Sequence, residues 1–272
     1  MNFTTLSLSV LRAQCYWLKV RVFSLFGRYR CSVCEHRVFK FYPLPAYYRQ
    51  KALEHGARGG GSETCNEAAY TCPFCGASDR DRLIALFLEK FIRENTRHSQ
   101  SFRIVDFAPS FPLSGFIRRT LEQCLPTAKY RTADLFMAGA DDKVDLMDMR
   151  TYASESFDFF ICSHVLEHVS DDRRALSELF RITKPEGTGI LLVPIDLDRT
   201  VTDEDPAVTD IGERWRRFGQ DDHVRAYAKT DFIARIRGTG FDVREWTVND
   251  FSVKEFDRAG VQAGSVLYIV NK

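Results

Sequence analysis

Acidic side chains are nearly missing from the first sixty residues. Glu35 and Glu54 stand there against ten lysines and arginines, so that stretch carries +8 and residues 61–272 carry −7 of a formal total of +1. A basic head rich in Tyr, Phe and Trp can meet RNA or an anionic membrane surface, or it can be a packed unit with solvated arginines. Also missing is any uncharged run of the roughly 20 apolar residues that span a bilayer. The opening "MNFTTLSLSVLRAQCYWLKVRVFSLFG" is interrupted by Arg12, Lys19 and Arg21. A secretory signal places its charge ahead of the apolar stretch, so this is a poor one, and a cytoplasmic location is expected. Leu8, Leu11, Cys15, Leu18, Val22 and Leu25 recur every three or four residues, the pattern of an amphipathic basic helix over residues 1–28. Such a helix docks on its own protein or lies on a membrane surface. What the chain has is bulk: 272 residues, 44% hydrophobic, enough for one large α/β domain and a small accessory unit.

Four of the eight cysteines come in two pairs, Cys31 and Cys34 in "CSVC" and Cys72 and Cys75 in "CPFC". A C-x-x-C turn presents two thiolates to one ion, and two such turns close a tetrahedral shell around a structural zinc. Two disulfides or a redox pair are the alternatives. No secretory signal supports the first and no thioredoxin-like strand and helix surround either pair. His36 and His55 could replace a ligand but are not needed, and Cys15, Cys65, Cys124 and Cys162 read as scattered thiols. The expected unit spans residues 29–78, with "ARGGGSET" as a flexible loop tip. A closed shell leaves no position for chemistry, so the unit's expected task is to fold a piece too small for its own core.

Beyond it, "DRDRLIALFLEKFIREN" gathers Ile84, Phe87, Leu88, Phe91 and Ile92 on one face and reads as a linking helix within residues 79–98. From residue 99 onward strands alternate with helices: "FRIVDFA", "SGFIRRTLEQCL", "KYRTADLF", "DKVDLMDM", "SFDFFICSHV", "DDRRALSELFRIT" and "GTGILLVPI", the last opened by a "KPEG" turn. A polar segment over 196–222, a helix at "KTDFIARIRGTGF" and strands at "DVREWTV" and "SVLYIVNK" follow. That alternation specifies an α/β, Rossmann-like, doubly wound and mostly parallel sheet. Ligands of such sheets sit beyond the carboxyl ends of the strands. Asp106 lies in the first strand, Asp134 and Asp145 end the second and third, and Ser163 and His164 end the fourth. Aspartates often stand at strand ends as helix caps. In register across consecutive strands they also describe an adenosine site, one acid for the ribose hydroxyls and one for the exocyclic amine. The turn after the first strand, "APSFPLSG", lacks G-x-G-x-x-G, so no close approach to a pyrophosphate is signalled. A nucleoside without phosphates fits better, and S-adenosylmethionine is one.

His164-Val-Leu-Glu167-His168 spells H-x-x-E-H, the signature of the inverted zinc peptidases. That chemistry needs a helix turning both histidines to one ion. Here an apolar strand runs straight into the motif, which puts His164 at a strand end and Glu167 and His168 in a turn or the start of the next helix.

With "CSVC…CPFCGASDRDRLIALFLE", "IVDFAPS", "YRTADL", "SHVLEHVSDD…KPEG" and "RFGQDDHVRAYAKTDFIARIRGTGF" in view, the chain from about Cys31 onward resembles the class I S-adenosylmethionine-dependent methyltransferases. More narrowly it resembles a bacterial-type group with an N-terminal zinc ribbon. Where such enzymes carry glycines, this chain has Ala108, Pro109 and Ser110. The resemblance implies a methyltransferase sheet with an antiparallel last strand over 99–272. It implies Asp106, Ala108 and Ser110 around the methionine portion of the cofactor, Asp134 at the ribose, Asp145 at the adenine amine and Ser163 beside the ligand. His164 and His223 are the candidates for a catalytic base, and Arg225 for a substrate contact near the mouth. A structural Zn2+ in the four-cysteine unit completes the expected cofactors. The acceptor is open: a small molecule or a sugar hydroxyl is favoured, an RNA delivered by the basic head is an alternative, and a non-catalytic scaffold is a third reading.

Overall fold

A computed structural model describes residues 27–57, 61–95 and 102–272. The expected N-terminal amphipathic helix, and the membrane contact it would make, lie outside the described residues, as does most of the "GGG" loop tip. Among the described residues no helix is long and apolar enough to cross a membrane.

The central element is a seven-stranded sheet. Its strands are β3 (Arg103–Phe107), β4 (Lys129–Asp134), β5 (Asp142–Lys143), β6 (Phe157–Ser163), β7 (Thr183–Leu192), β10 (Asp242–Trp246) and β11 (Leu267–Asn271). They run in the order β10-β11-β7-β6-β3-β4-β5. All neighbours from β7 to β5 are parallel, and β11 is antiparallel to both β7 and β10. The expected doubly wound sheet with its antiparallel last strand is the observed one. β6 shows why a parallel sheet forms: in "FDFFICS" five of seven side chains are buried, as a strand covered on both faces requires. The third strand is shorter than "DKVDLMDM" suggests. It pairs at only two residues, and Asp145 stands two positions beyond it, bridged to Asp148.

The covering helices are α2 (Asp79–Asn95), α3 (Phe111–Cys124), α4 (Asp172–Ile182) and α6 (Lys229–Gly238), after a short α1 (Ala46–Glu54). The linking helix α2 starts at a reciprocal cap, in which Asp81 N–H donates to Ser78 Oγ at 3.2 Å and Ser78 N–H to Asp81 Oδ2 at 2.9 Å. Its apolar stripe reaches the sheet through Phe91, whose ring lies 4.8 Å from that of Phe159. The polar segment before α6 holds an unanticipated helix, α5 (Ile211–Phe218), and a two-residue hairpin of β8 (Asp203–Glu204) with β9 (Arg225–Ala226). A last helix, α7 (Val253–Ala259), precedes β11.

The four-cysteine unit is not a free appendage. Its hairpin β1 (Tyr29–Arg30) and β2 (Arg37–Val38) brackets Cys31 and Cys34. Arg82 of α2, fully buried, donates to the carbonyls of Tyr70, Ala77 and Ala69 in the unit and of Ala259 and Gly260 after α7. Gly260 has φ +65°, and a Cβ there would collide with Phe41. Glu63, also buried, accepts from Tyr268 Oη at 2.6 Å and pairs with Lys229 at 2.7 Å.

Candidate functional site

The chain leaves β3 for one side of the sheet and returns through β6 on the other, so the crevice between the carboxyl ends of β3 and β6 is the topological switch point. Each side of that crevice carries a non-glycine residue in the left-handed region, Ala108 at φ 49° and His164 at φ 58°. Such backbone is costly and persists where the surroundings over-determine it, most often at functional sites. Ala108 takes this backbone without being a glycine, its N–H donated to Ala133 O at 2.9 Å.

Asp106 is buried beneath this turn and accepts from Tyr130 Oη at 2.7 Å. Burial raises its carboxyl to about 7, against the opposing pull of the Tyr130 hydrogen bond. Ser110 is committed elsewhere: its hydroxyl caps α3 by accepting from Leu113 N–H at 3.3 Å and donates to Asp81 at 2.9 Å. Asp134 takes the N–H groups of Phe136 and Met137 on Oδ1, both at 2.6 Å, and Oδ2 has no partner among the described residues. Phe136 beside it is 90% exposed. A half-partnered carboxylate next to a bare aromatic ring on the lip of the crevice fits a nucleoside. Asp145 Oδ1 accepts from Met147 N–H at 2.8 Å, a local turn bond, and its Oδ2 has no partner among the described residues.

The H-x-x-E-H segment is a turn, not a helix. That orientation fails the requirement of the peptidase motif. His164 Nδ1 lies 3.2 Å from Glu167 Oε1 but off hydrogen-bond alignment, and neither oxygen of the fully buried Glu167 has a hydrogen-bond partner among the described residues. His164 Nε2 is likewise buried without a partner. Burial, helped by nearby Arg80, lowers the imidazole to about 4, so the ring is neutral at physiological pH.

His223 is buried too, with Nδ1 3.1 Å from Phe218 O. It lies against His168, ring centroids 4.8 Å apart, because Val224 N–H donates to Glu167 O at 2.9 Å and lays the β9 segment over the turn. Sequence spacing gave no sign of that meeting. Arg225, expected near the substrate mouth, lies beneath the turn rather than in the open. Its guanidinium is 1% exposed and donates to the carbonyls of Leu166, Val169 and Ser170, with Glu204 at 3.2 Å. Its job is to hold the turn that bears Glu167 and His168. Arg235, Tyr227 and Asp172 extend the same buried network.

A cleft of about 200 Å³ opens at the end of β7, lined by Pro194, Asp196, Arg199, Trp215 and His223, with Ala57 and Ser62 contributed from the cysteine unit's side.

The cysteine sulfurs pair at 3.8 Å, Cys31 with Cys75 and Cys34 with Cys72, and all four lie within 4.8 Å of one another. A disulfide needs about 2.05 Å, and all four cysteines are free. A tetrahedral ion with metal–sulfur bonds of about 2.3 Å has sulfur–sulfur edges of about 3.8 Å, so the donor set fits zinc. His36 stays out of the shell, its ring stacked on Phe74 at 4.4 Å.

Of the basic head's described arginines, Arg28 pairs with Asp257 at 3.1 Å and Arg30 with Glu35 at 2.9 Å.

Comparison with known proteins adds a partial family match. Residues 125–191 match the family model described as a methyltransferase domain. Among solved structures, the chain is similar to an S-adenosylmethionine-dependent methyltransferase from Archaeoglobus fulgidus, at 12% identity and TM-score 0.41 over 72% of this chain and 95% of that one. It is similar also to one from Aquifex aeolicus, at 11% identity and TM-score 0.37 over 67% and 87%. No curated protein sequence matches.

Proposed function

We infer that this chain is a class I S-adenosylmethionine-dependent methyltransferase that transfers the cofactor's methyl group to a hydroxyl of a small molecule or sugar. The bound cofactor supplies an already activated methyl on a sulfonium sulfur. What remains for the protein is positioning and the removal of one proton. Ala108 and the turn after it, with Asp106 beneath them, would form the floor under the methionine portion. Asp134 Oδ2 would accept from the ribose, and Asp145 from the adenine amine. Ser163, at the end of β6, would border the ligand from the other side.

The observation that carries the hydroxyl reading is His164. Its Nε2 is a buried nitrogen without a partner at the end of β6, and its Nδ1 faces a buried carboxylate. A base ring backed by an acid that fixes its orientation is the arrangement that accepts a proton from a hydroxyl nucleophile. Loose alignment between such groups is common before substrate binds. The backbone at His164 is left-handed and is tied by its N–H to Leu192 O at 2.8 Å. His223, lining the cleft beyond β7, would meet the acceptor. The four cysteines would hold a structural zinc, which by its closed shell takes no part in transfer. Residues near that unit wall the cleft, which supports a role in shaping the acceptor site.

The test is turnover. Release of the demethylated cofactor is followed across phenolic, sugar and amine acceptors for the parent chain and for His164→Gln. The expected result is activity on a hydroxyl class that falls by about 10²–10⁴-fold in the variant, with cofactor affinity unchanged. Equal turnover by the variant, or activity confined to amines, would overturn the reading.

A further inference from the structure

Beside the parts that Glu167 and His223 take in the methyl-transfer reading, with Glu167 Oε1 3.2 Å from His164 Nδ1, these two side chains meet His168 in an arrangement of their own. Glu167, His168 and His223 each offer one ligand atom, and these atoms lie within 4.8 Å of one another. Glu167 is 0% exposed and both its carboxylate oxygens lack a hydrogen-bond partner. A buried carboxylate is expensive unless it is paired or binds an ion. The two histidines are prepared in the way that metal-binding histidines are. His168 Nδ1 is 3.3 Å from Asp222 Oδ2, and His223 Nδ1 is 3.1 Å from Phe218 O. An outward acceptor on Nδ1–H fixes the tautomer that leaves Nε2 with its lone pair free to ligate. His168 Nε2 stands 3.9 Å from Glu167 Oε1, and a tetrahedral edge for bonds of about 2.1 Å is about 3.4 Å, so a contraction of about half an ångström completes the contact.

We propose that Glu167, His168 and His223 form a second metal site, separate from the four cysteines, for a divalent first-row transition ion. Two imidazoles and one carboxylate favour Zn2+, Co2+ or Fe2+ over Mg2+ and Ca2+, which prefer all-oxygen shells. Three protein ligands leave at least one position open, and His223 places the site at the edge of the cleft beyond β7. His164 is not a ligand in this assignment, which separates it from an H-x-x-E-H zinc site. The inference stands on these contacts and not on the methyl-transfer reading.

The experiment is a Co2+ titration of the full chain with its cysteine unit already zinc-loaded, read by absorption and by metal content after desalting. The parent is expected to take up one further equivalent, with ligand-field bands and no thiolate charge-transfer band. His168→Gln and His223→Gln should each weaken that uptake at least a hundredfold, and His164→Gln should keep it. Melting curves identify any variant that does not fold. If buried His223→Gln fails, half-exposed His168→Gln decides. No second equivalent in the parent, or parent-like uptake by the folded ligand variants, would overturn the site. Cofactor calorimetry on the same preparations keeps the two readings apart, since a chain that binds S-adenosylmethionine but no second ion contradicts only this one.

Discussion

The four-cysteine unit and the Glu167–His168–His223 turn make an instructive pair. Each gathers ligand-type side chains, and each is held in place by one buried arginine spending its hydrogen bonds on main-chain carbonyls, Arg82 in the first case and Arg225 in the second. They differ in how the ligands reach one another. The cysteines sit two by two on tight turns, so local spacing already builds half the shell. Glu167 and His168 are adjacent, but His223 arrives from fifty-five residues away because the β9 segment hydrogen-bonds across the turn. A site made of local pairs is written in the sequence. A site made by docking is written in the fold.

Two substitutions pull these regions apart and a third serves as their reference, and the largest effect is expected at the cysteines. Cys72→Ser should lose the zinc equivalent and destabilise the chain by more than about 5 kcal/mol, since binding of a structural zinc is folding energy. Zinc content and a urea midpoint check this, and a variant as stable as the parent would mean the unit folds without metal. Arg225→Met should cost about 3 kcal/mol, because it strands buried carbonyls of residues 166–170 and uncovers the charges of Asp172 and Glu204. It should also weaken the second metal site while the cysteine-bound zinc stays, which metal content reads directly.

The smallest effect concerns Asp106, which touches neither site. Its carboxyl is raised by burial to about 7 from an ordinary 3.8, so the folded state holds the proton more tightly than the unfolded one. The stability this gives is fully present below the unfolded value and is lost as pH rises through about 7. Denaturant midpoints of the cofactor-free chain between pH 4 and 7 should therefore show a downward contribution that Asp106→Asn removes. An unchanged slope in the variant would assign the pH dependence to other groups.

The same distinction between local and docked features governs what could be read in advance. Strand–helix alternation gave the doubly wound sheet, because buried parallel strands such as β6 are continuous apolar runs. The α2 helix was legible from its stripe. α5 and the β8–β9 hairpin were not, since they fold from a polar segment whose order comes from ion pairs such as Arg217 with Asp203 at 2.6 Å. Asp145 looked like a strand end because "DKVDLMDM" read as a third strand, yet only two of those residues find a partner strand. Ser110 and Arg225 looked like ligand contacts. Their polar atoms are instead consumed by a helix cap and by a set of carbonyls, partners that no spacing rule announces. The missing glycine at Ala108 was visible, but its consequence was not: the backbone takes the left-handed turn regardless.

The central claim is that the crevice between β3 and β6 binds S-adenosylmethionine through Asp134. Calorimetric titration of the cofactor into metal-quantified parent protein and into Asp134→Ala tests it most directly. Binding by the parent with a loss of at least tenfold in the variant, about 1.4 kcal/mol or more, is the predicted result. No heat of binding from folded, zinc-loaded parent, or equal affinity in the two proteins, would contradict it.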